Sequence, residues 1–194
     1  MFIDMKTSSA IFFLFFLTVN IAAQPTAKTE FGAEMASILD NMKAYTLEII
    51  QQMPEDQFDY KPTEEVRTFR EQIEHMALVL DFQTQYVLQG NNFGGDEKVL
   101  REAFGKIKER NSGKSREDLL KQLATNFDAA ATLMTTMTKK DLKQTYSFFF
   151  FPDQPVKTLQ TVAMTLRDHI THHRGQLIVY LRMNGIEPVR YQLF

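Results

Sequence analysis

The chain has 194 residues, with 22 Lys and Arg against 24 Asp and Glu, so it has room for one domain with a substantial core and no basic block with which to hold nucleic acid. Cysteine is absent, which excludes disulfides, thiolate metal ligands and a thiol nucleophile of the protein's own. Trp is also absent, while Phe reaches 17 and Met 10, so the core is expected to be rich in both.

Lys6 precedes an apolar run from Ala10 to Val19, and Asn20-Ile21-Ala22-Ala23-Gln24-Pro25 follows it. A short positive region, an apolar stretch of about ten residues and small residues at its end make a secretory signal. Cleavage is expected after Ala23, with Ile21 and Ala23 at the two positions the peptidase inspects. The stretch falls well short of the ~20 residues that span a bilayer. Residues 1–23 are thus expected to be a signal peptide and residues 24–194 one helical domain, exported to the periplasm or beyond, with no stable membrane span after cleavage.

The first helix is predicted from about Thr29 to Met53, where Phe31, Met35, Ile38, Leu39, Met42, Tyr45, Ile49 and Ile50 recur near 3.6-residue spacing before Pro54. A polar loop from Glu55 to Val66 contains Pro62. The second helix is predicted to start at Arg67–Thr68 and run to Leu88, ahead of the breaker that begins at Gly90 and includes Gly94 and Gly95. A weaker helical piece, Asp96 to Arg110, leads to Asn111-Ser112-Gly113. The third long helix is predicted from Ser115, where Ser115 and Asp118 resemble a capping box, to about Met137. Four consecutive phenylalanines, Phe148 to Phe151, lie before Pro152 and read as a hydrophobic plug over an opening, or as an aromatic wall or lid. The fourth long helix is predicted from Lys157 to Asn184, with Gly185 past its end and Pro188 barring continuation. No convincing alternating strand is present, so the fold class is all-α, a four-helix bundle with long connections.

Three of the 4 histidines stand within Asp168-His169-Ile170-Thr171-His172-His173-Arg174-Gly175-Gln176. His169 and His173 are four residues apart, so their rings leave one helix face a turn apart, the spacing with which one helix grips a metal ion. Val162 and Tyr180 share that arc on one side, Gln176, Thr158, Thr165 and Met183 on the other. Arg167, Arg174, Arg182 and Asp168 fall opposite or on the flanks. His172 lies about 60° round the helix and reads as a flank residue or one that supports the others. On the second helix the polar stripe is Arg70, Glu74, Asp81 and Gln85, while His75 falls in the apolar arc beside Val79, Phe82 and Tyr86. Inward imidazoles must find partners. Each either bonds a neighbouring Thr, Tyr or Gln, or joins the others around an ion, for which neutral imidazoles suit zinc, nickel, iron or copper.

His169-x-x-x-His173-Arg174-Gly175-Gln176, continuing through Leu177 to Gly185, together with Tyr60-Lys61-Pro62 and Arg67-Thr68-Phe69 through His75-Met76-Ala77, resembles the signature of the DinB superfamily. The resemblance covers nearly all of the expected mature chain. It implies a four-helix bundle that holds a divalent metal through one histidine of the second helix and two of the fourth, here His75, His169 and His173. Zinc is the first expectation, with nickel, iron or manganese as alternatives. Three imidazoles leave an open position for water or substrate. Gln176, Tyr180 and His172 are the candidate supporting groups.

Characterised relatives resemble thiol-dependent transferases and isomerases, in which the metal activates the thiol. The export signal sets this chain apart from them. The expected function is therefore a metal-dependent hydrolase or thiol-type transferase acting on a small molecule. The alternatives are a non-catalytic bundle binding metal or an apolar ligand, or a bundle without metal. A homodimer is an allowed assembly. No Asp or Glu is well placed as a general base, since Glu74 lies about 100° round the helix from His75. Gly175 within a strong helix costs about 1 kcal/mol relative to Ala, and close packing by another helix is the expected reason for it.

Overall fold

A computed structural model describes residues 27–90, 96–147 and 156–192. The expected signal peptide, the glycines Gly94 and Gly95, and the four phenylalanines Phe148 to Phe151 lie outside the described residues. The helices are α1 (Glu30–Gln51), α2 (Phe69–Phe82), α3 (Glu97–Asn111), α4 (Arg116–Thr136), the short α5 (Lys139–Leu142) and α6 (Leu159–Met183). Among the described residues no helix is long and apolar enough to cross a membrane.

Each long helix begins where a side chain accepts from its first turn. Thr29 caps α1, Asp96 caps α3, Ser115 caps α4 and Thr158 caps α6. At α2 the cap is a complete capping box: Thr68 accepts from the Glu71 amide while the Glu71 carboxylate accepts from the Thr68 amide. Such reciprocal caps satisfy two donors that a helix start leaves bare. Ser115 forms only half of that arrangement, because its hydroxyl donates to the Asp118 carboxylate as well as accepting from the Asp118 amide. The loop before α2 folds back so that the Tyr60 and Phe58 carbonyls accept from Phe69 and Arg70, which fixes how α2 enters the bundle. Gly185, at φ 72°, ends α6, and the Ile186 amide reaches back to the Leu181 carbonyl, the bond of a Schellman turn.

α1 packs on α4, α4 on α2, α2 on α6 and α6 on α1, closing a ring of four helices, with α3 laid against the outside of α2. The core is as rich in Phe and Met as the composition requires: Met42, Met53, Met76, Phe58, Phe69 and Phe127 are sealed from solvent.

Several expectations need correction. The chain from Gln83 to Leu88 continues α2 as a π-helix rather than an α-helix. A two-residue antiparallel ribbon, β1 (Thr145–Tyr146) with β2 (Lys157–Thr158), pairs the ends of the connection into α6. It is too short to show alternation in the sequence. Asp81 does not belong to a solvated stripe: α3 covers that side of α2, and Asp81, 3% exposed, pairs there with Arg110 and with Gln85. Arg174 is likewise buried, its guanidinium 4.8 Å from the Tyr45 ring centre and bonded to Thr46. α6 has two neighbours in the ring, so α1 covers a face that would be wet in a simple pair of helices. Thr165 and Met183, read into the inward arc, are exposed.

Gly175 is exposed too, and nothing lies within 4 Å of where a Cβ would stand. The glycine that close packing does require is Gly32, whose added Cβ would collide with the Met134 carbonyl of α4. Gly175→Ala is therefore expected to stabilise the protein by about 0.5–1 kcal/mol. Denaturant titration reads this directly, and an unchanged or lowered midpoint would contradict it.

Candidate metal centre

The site is built where α2 and α6 touch. His75 stands on α2 nearly two turns beyond the Thr68 cap, and His169 and His173 stand a turn apart on α6. One ring nitrogen from each lies within 4.8 Å of the others. The Nε2 atoms of His75 and His169 are 3.1 Å apart. Two nitrogens each about 2.0–2.1 Å from a tetrahedral ion lie roughly 3.3–3.4 Å apart, so this spacing fits a shared ion with little adjustment. No carboxylate joins the cluster among the described residues.

His173 is held most firmly. Its Nδ1 lies 2.7 Å from the Gln72 side-chain carbonyl and 3.0 Å from that of Gln176. Both are acceptors, so the ring carries its proton on Nδ1 and presents a free Nε2. Gln72 is in turn fixed: its amide group donates to the Tyr180 hydroxyl, which donates to the Arg67 carbonyl. Tyr180 thus sits one bond further from the ring than its place on the α6 face suggests. The Gln176 amide group donates to Nε2 of His172, which is exposed and lies outside the triad. Gln72, only 2% exposed, was missed by sequence reasoning. Its signal was an amide three residues before His75 on the same helix face, a position where an unpartnered polar group would be costly.

Burial is the main cause that depresses all three imidazoles. His75 is pushed down to about 3, with Arg67 and the other two rings adding to the effect. His173 is pushed down to about 4, with the neighbouring His169 contributing. His169 is lowered by burial and then by His172 and Arg67. The triad is neutral at pH 7, the form that binds a metal.

The unfolded chain, with histidines near 6.5, takes up protons first as the pH falls. After chelation, the protein should keep its full stability above about pH 6.5 and lose it progressively towards pH 4. Melting curves of EDTA-treated protein at pH 7.5 and 5 test this. Equal stabilities, or the same loss in His75→Leu, would contradict the assignment to the triad.

A cavity of about 780 Å³ opens beside His75, lined also by Arg67, Gln72, Leu78, Phe104, Lys108 and Gln176. Its size suits a small-molecule ligand. Glu74 lines it as well, but its carboxylate accepts from the Gly113 amide and is turned to a structural task.

A sequence model of the DinB superfamily matches residues 38–177, a span that includes His75, His169 and His173. The chain belongs to the DinB superfamily. Its fold is similar to the crystal structure of a DinB-like protein of Bacillus subtilis, with a TM-score of 0.61 and 19% identity, over 83% of this chain and 99% of that one. At that identity the likeness shows the fold alone. Among proteins of curated function, none matches the chain.

Proposed function

We propose that this DinB-superfamily chain is an exported protein that binds a divalent metal, zinc before nickel, iron or manganese, through His75, His169 and His173. In this reading it acts on a small molecule as a hydrolase or thiol-type transferase. The observation that carries the reading is the convergence of three neutral imidazoles beside the 780 Å³ cavity, with two Nε2 atoms 3.1 Å apart. An ion bound there would act as a Lewis acid and lower the pKa of a water or thiol in its open position. The protein's own part is to keep the rings deprotonated by burial, to fix the His173 tautomer through Gln72 and Gln176, and to supply the cavity. Gln176 and Tyr180 support the triad in this reading, and His172 does so from outside it, through Gln176 and an edge-on ring contact with His173.

Elemental analysis of protein purified without a metal-binding tag tests the proposal. One metal per chain, lost in His75→Ala, is expected. Absence of metal, with none taken up from dilute zinc, would overturn it. Export rests on the leader pattern of residues 1–23, and mass spectrometry of the expressed protein should find Gln24 at the new N-terminus.

A non-catalytic binding role in the same cavity is the second reading. The absence of a carboxylate in the triad among the described residues favours it, since a hydrolytic water then lacks an obvious proton acceptor. Turnover of ester, amide or thiol-acceptor substrates by the zinc-loaded protein would decide against it.

A further inference from the structure

The cavity beside the triad carries charges that the fold does not use. Of its lining groups, Glu65, Glu71 and Glu74 are acidic and Arg67 and Lys108 are basic. The acids have structural partners. Glu71 closes the capping box of α2, Glu74 accepts from the Gly113 amide, and Glu65 is hydrogen-bonded by Thr63. The two cations differ. Among the described residues, neither the Arg67 guanidinium nor the Lys108 ammonium has a carboxylate partner. Arg67 is moreover anchored, because its carbonyl accepts from Tyr180 at 2.8 Å, in the same chain of bonds that orients His173. It lines the same cavity as His75.

We infer that Arg67 and Lys108 form a subsite for the carboxylate or phosphate of a small organic anion, whose other end reaches the metal position at His75, His169 and His173. A guanidinium presents a planar fork that matches either oxyanion, and the ammonium adds a second, adjustable donor. Both cations stand at the wall while the imidazoles are neutral, so the anionic end and the metal-directed end of a ligand are drawn to different parts of one cavity. Leu78 and Phe104 line it too and suit a short apolar linker. This inference rests on the metal-binding reading above and narrows its substrate class.

Thiols of one length and three charges test it, because a thiolate on cobalt(II) gives a measurable absorption. The protein is loaded with cobalt(II) and its stoichiometry measured first. It is then titrated with 3-mercaptopropionate, 2-mercaptoethanol and cysteamine. The anionic thiol is expected to bind about tenfold more tightly than the neutral one, the scale of one charge-assisted hydrogen-bonded contact, and cysteamine most weakly. In the Arg67→Gln, Lys108→Gln double variant, checked for unchanged cobalt stoichiometry and melting temperature, the preference should shrink to nearly none. Equal affinities in the parent protein would overturn the inference. So would an anion preference that survives in the double variant, which would assign it to the metal's own charge, or a preference for cysteamine, which would assign the cavity to the three glutamates. Failure to take up cobalt at all would strike the metal reading itself and take this inference with it, an outcome visible before any thiol is added.

Discussion

His173→Ala is expected to weaken metal binding by more than the roughly 10–100-fold that loss of a supporting partner costs, because it removes one of three protein donors. It also strips Gln72 and Gln176 of the N–H they both accept from, at a cost of about 1–3 kcal/mol for buried polar groups left unpaired. The protein should stay folded nonetheless, since its core of Met, Phe, Leu and Ile is independent of the ion, unlike that of a zinc finger. His172→Ala should keep the metal, as that ring is exposed and, although it packs edge-on against the His173 ring at 4.9 Å, is not one of the three converging donors. Metal content and melting temperature of the two variants, with and without zinc, form the test. If His172→Ala loses the metal and His173→Ala keeps it, the assignment of donors on α6 is wrong.

Phe69→Ala should produce the largest loss of stability, about 3–5 kcal/mol by the usual cost of removing a buried phenyl ring. Phe69 is fully buried at the first position of α2, with its ring centre 5.4 Å from that of Phe58 and 6.5 Å from that of Tyr180. The cavity left behind would loosen Tyr180, which bonds Gln72 and the Arg67 carbonyl. Metal affinity is therefore expected to fall along with stability, although Phe69 touches no donor. Chemical denaturation gives the first effect, and competition with a chromogenic chelator at a temperature where the variant is folded gives the second. A metal affinity unchanged from the parent would mean that the Tyr180–Gln72 chain does not orient His173.

Most of the bundle was legible because its punctuation is local. Thr29, Thr68 and Ser115 mark helix starts, Gly185 marks an end, and the apolar period between them needs no partner to be read. The triad was legible for a related reason: His169 and His173 share a face by spacing alone, and His75 stands in an apolar arc. The errors came from what surrounds each helix. Asp81 and Arg174 look like solvated flanks until α3 covers one and α1 the other. Gln72 reads as an ordinary helix residue, because only the fold brings the amide to the His173 ring 101 positions away. Gly175 invited a packing explanation that belongs to Gly32, since a glycine in a helix does not say from which side a neighbour comes.

The donors lie on two helices whose contributions, His75 and His169, are 94 residues apart in the chain, so the ion would act as a cross-link between α2 and α6 alone. Its protection against amide hydrogen exchange should then be uneven. Slowing should be greatest around His75 and through the middle of α6, where opening must release the metal. It should be slight in α3, which rests on the outside of α2 and supplies no donor. Sub-global opening of such a peripheral helix costs less than unfolding the ring. In the metal-loaded protein α3, and Lys108 on it, would thus remain the part of the cavity wall that opens first, and the side from which a ligand most readily enters.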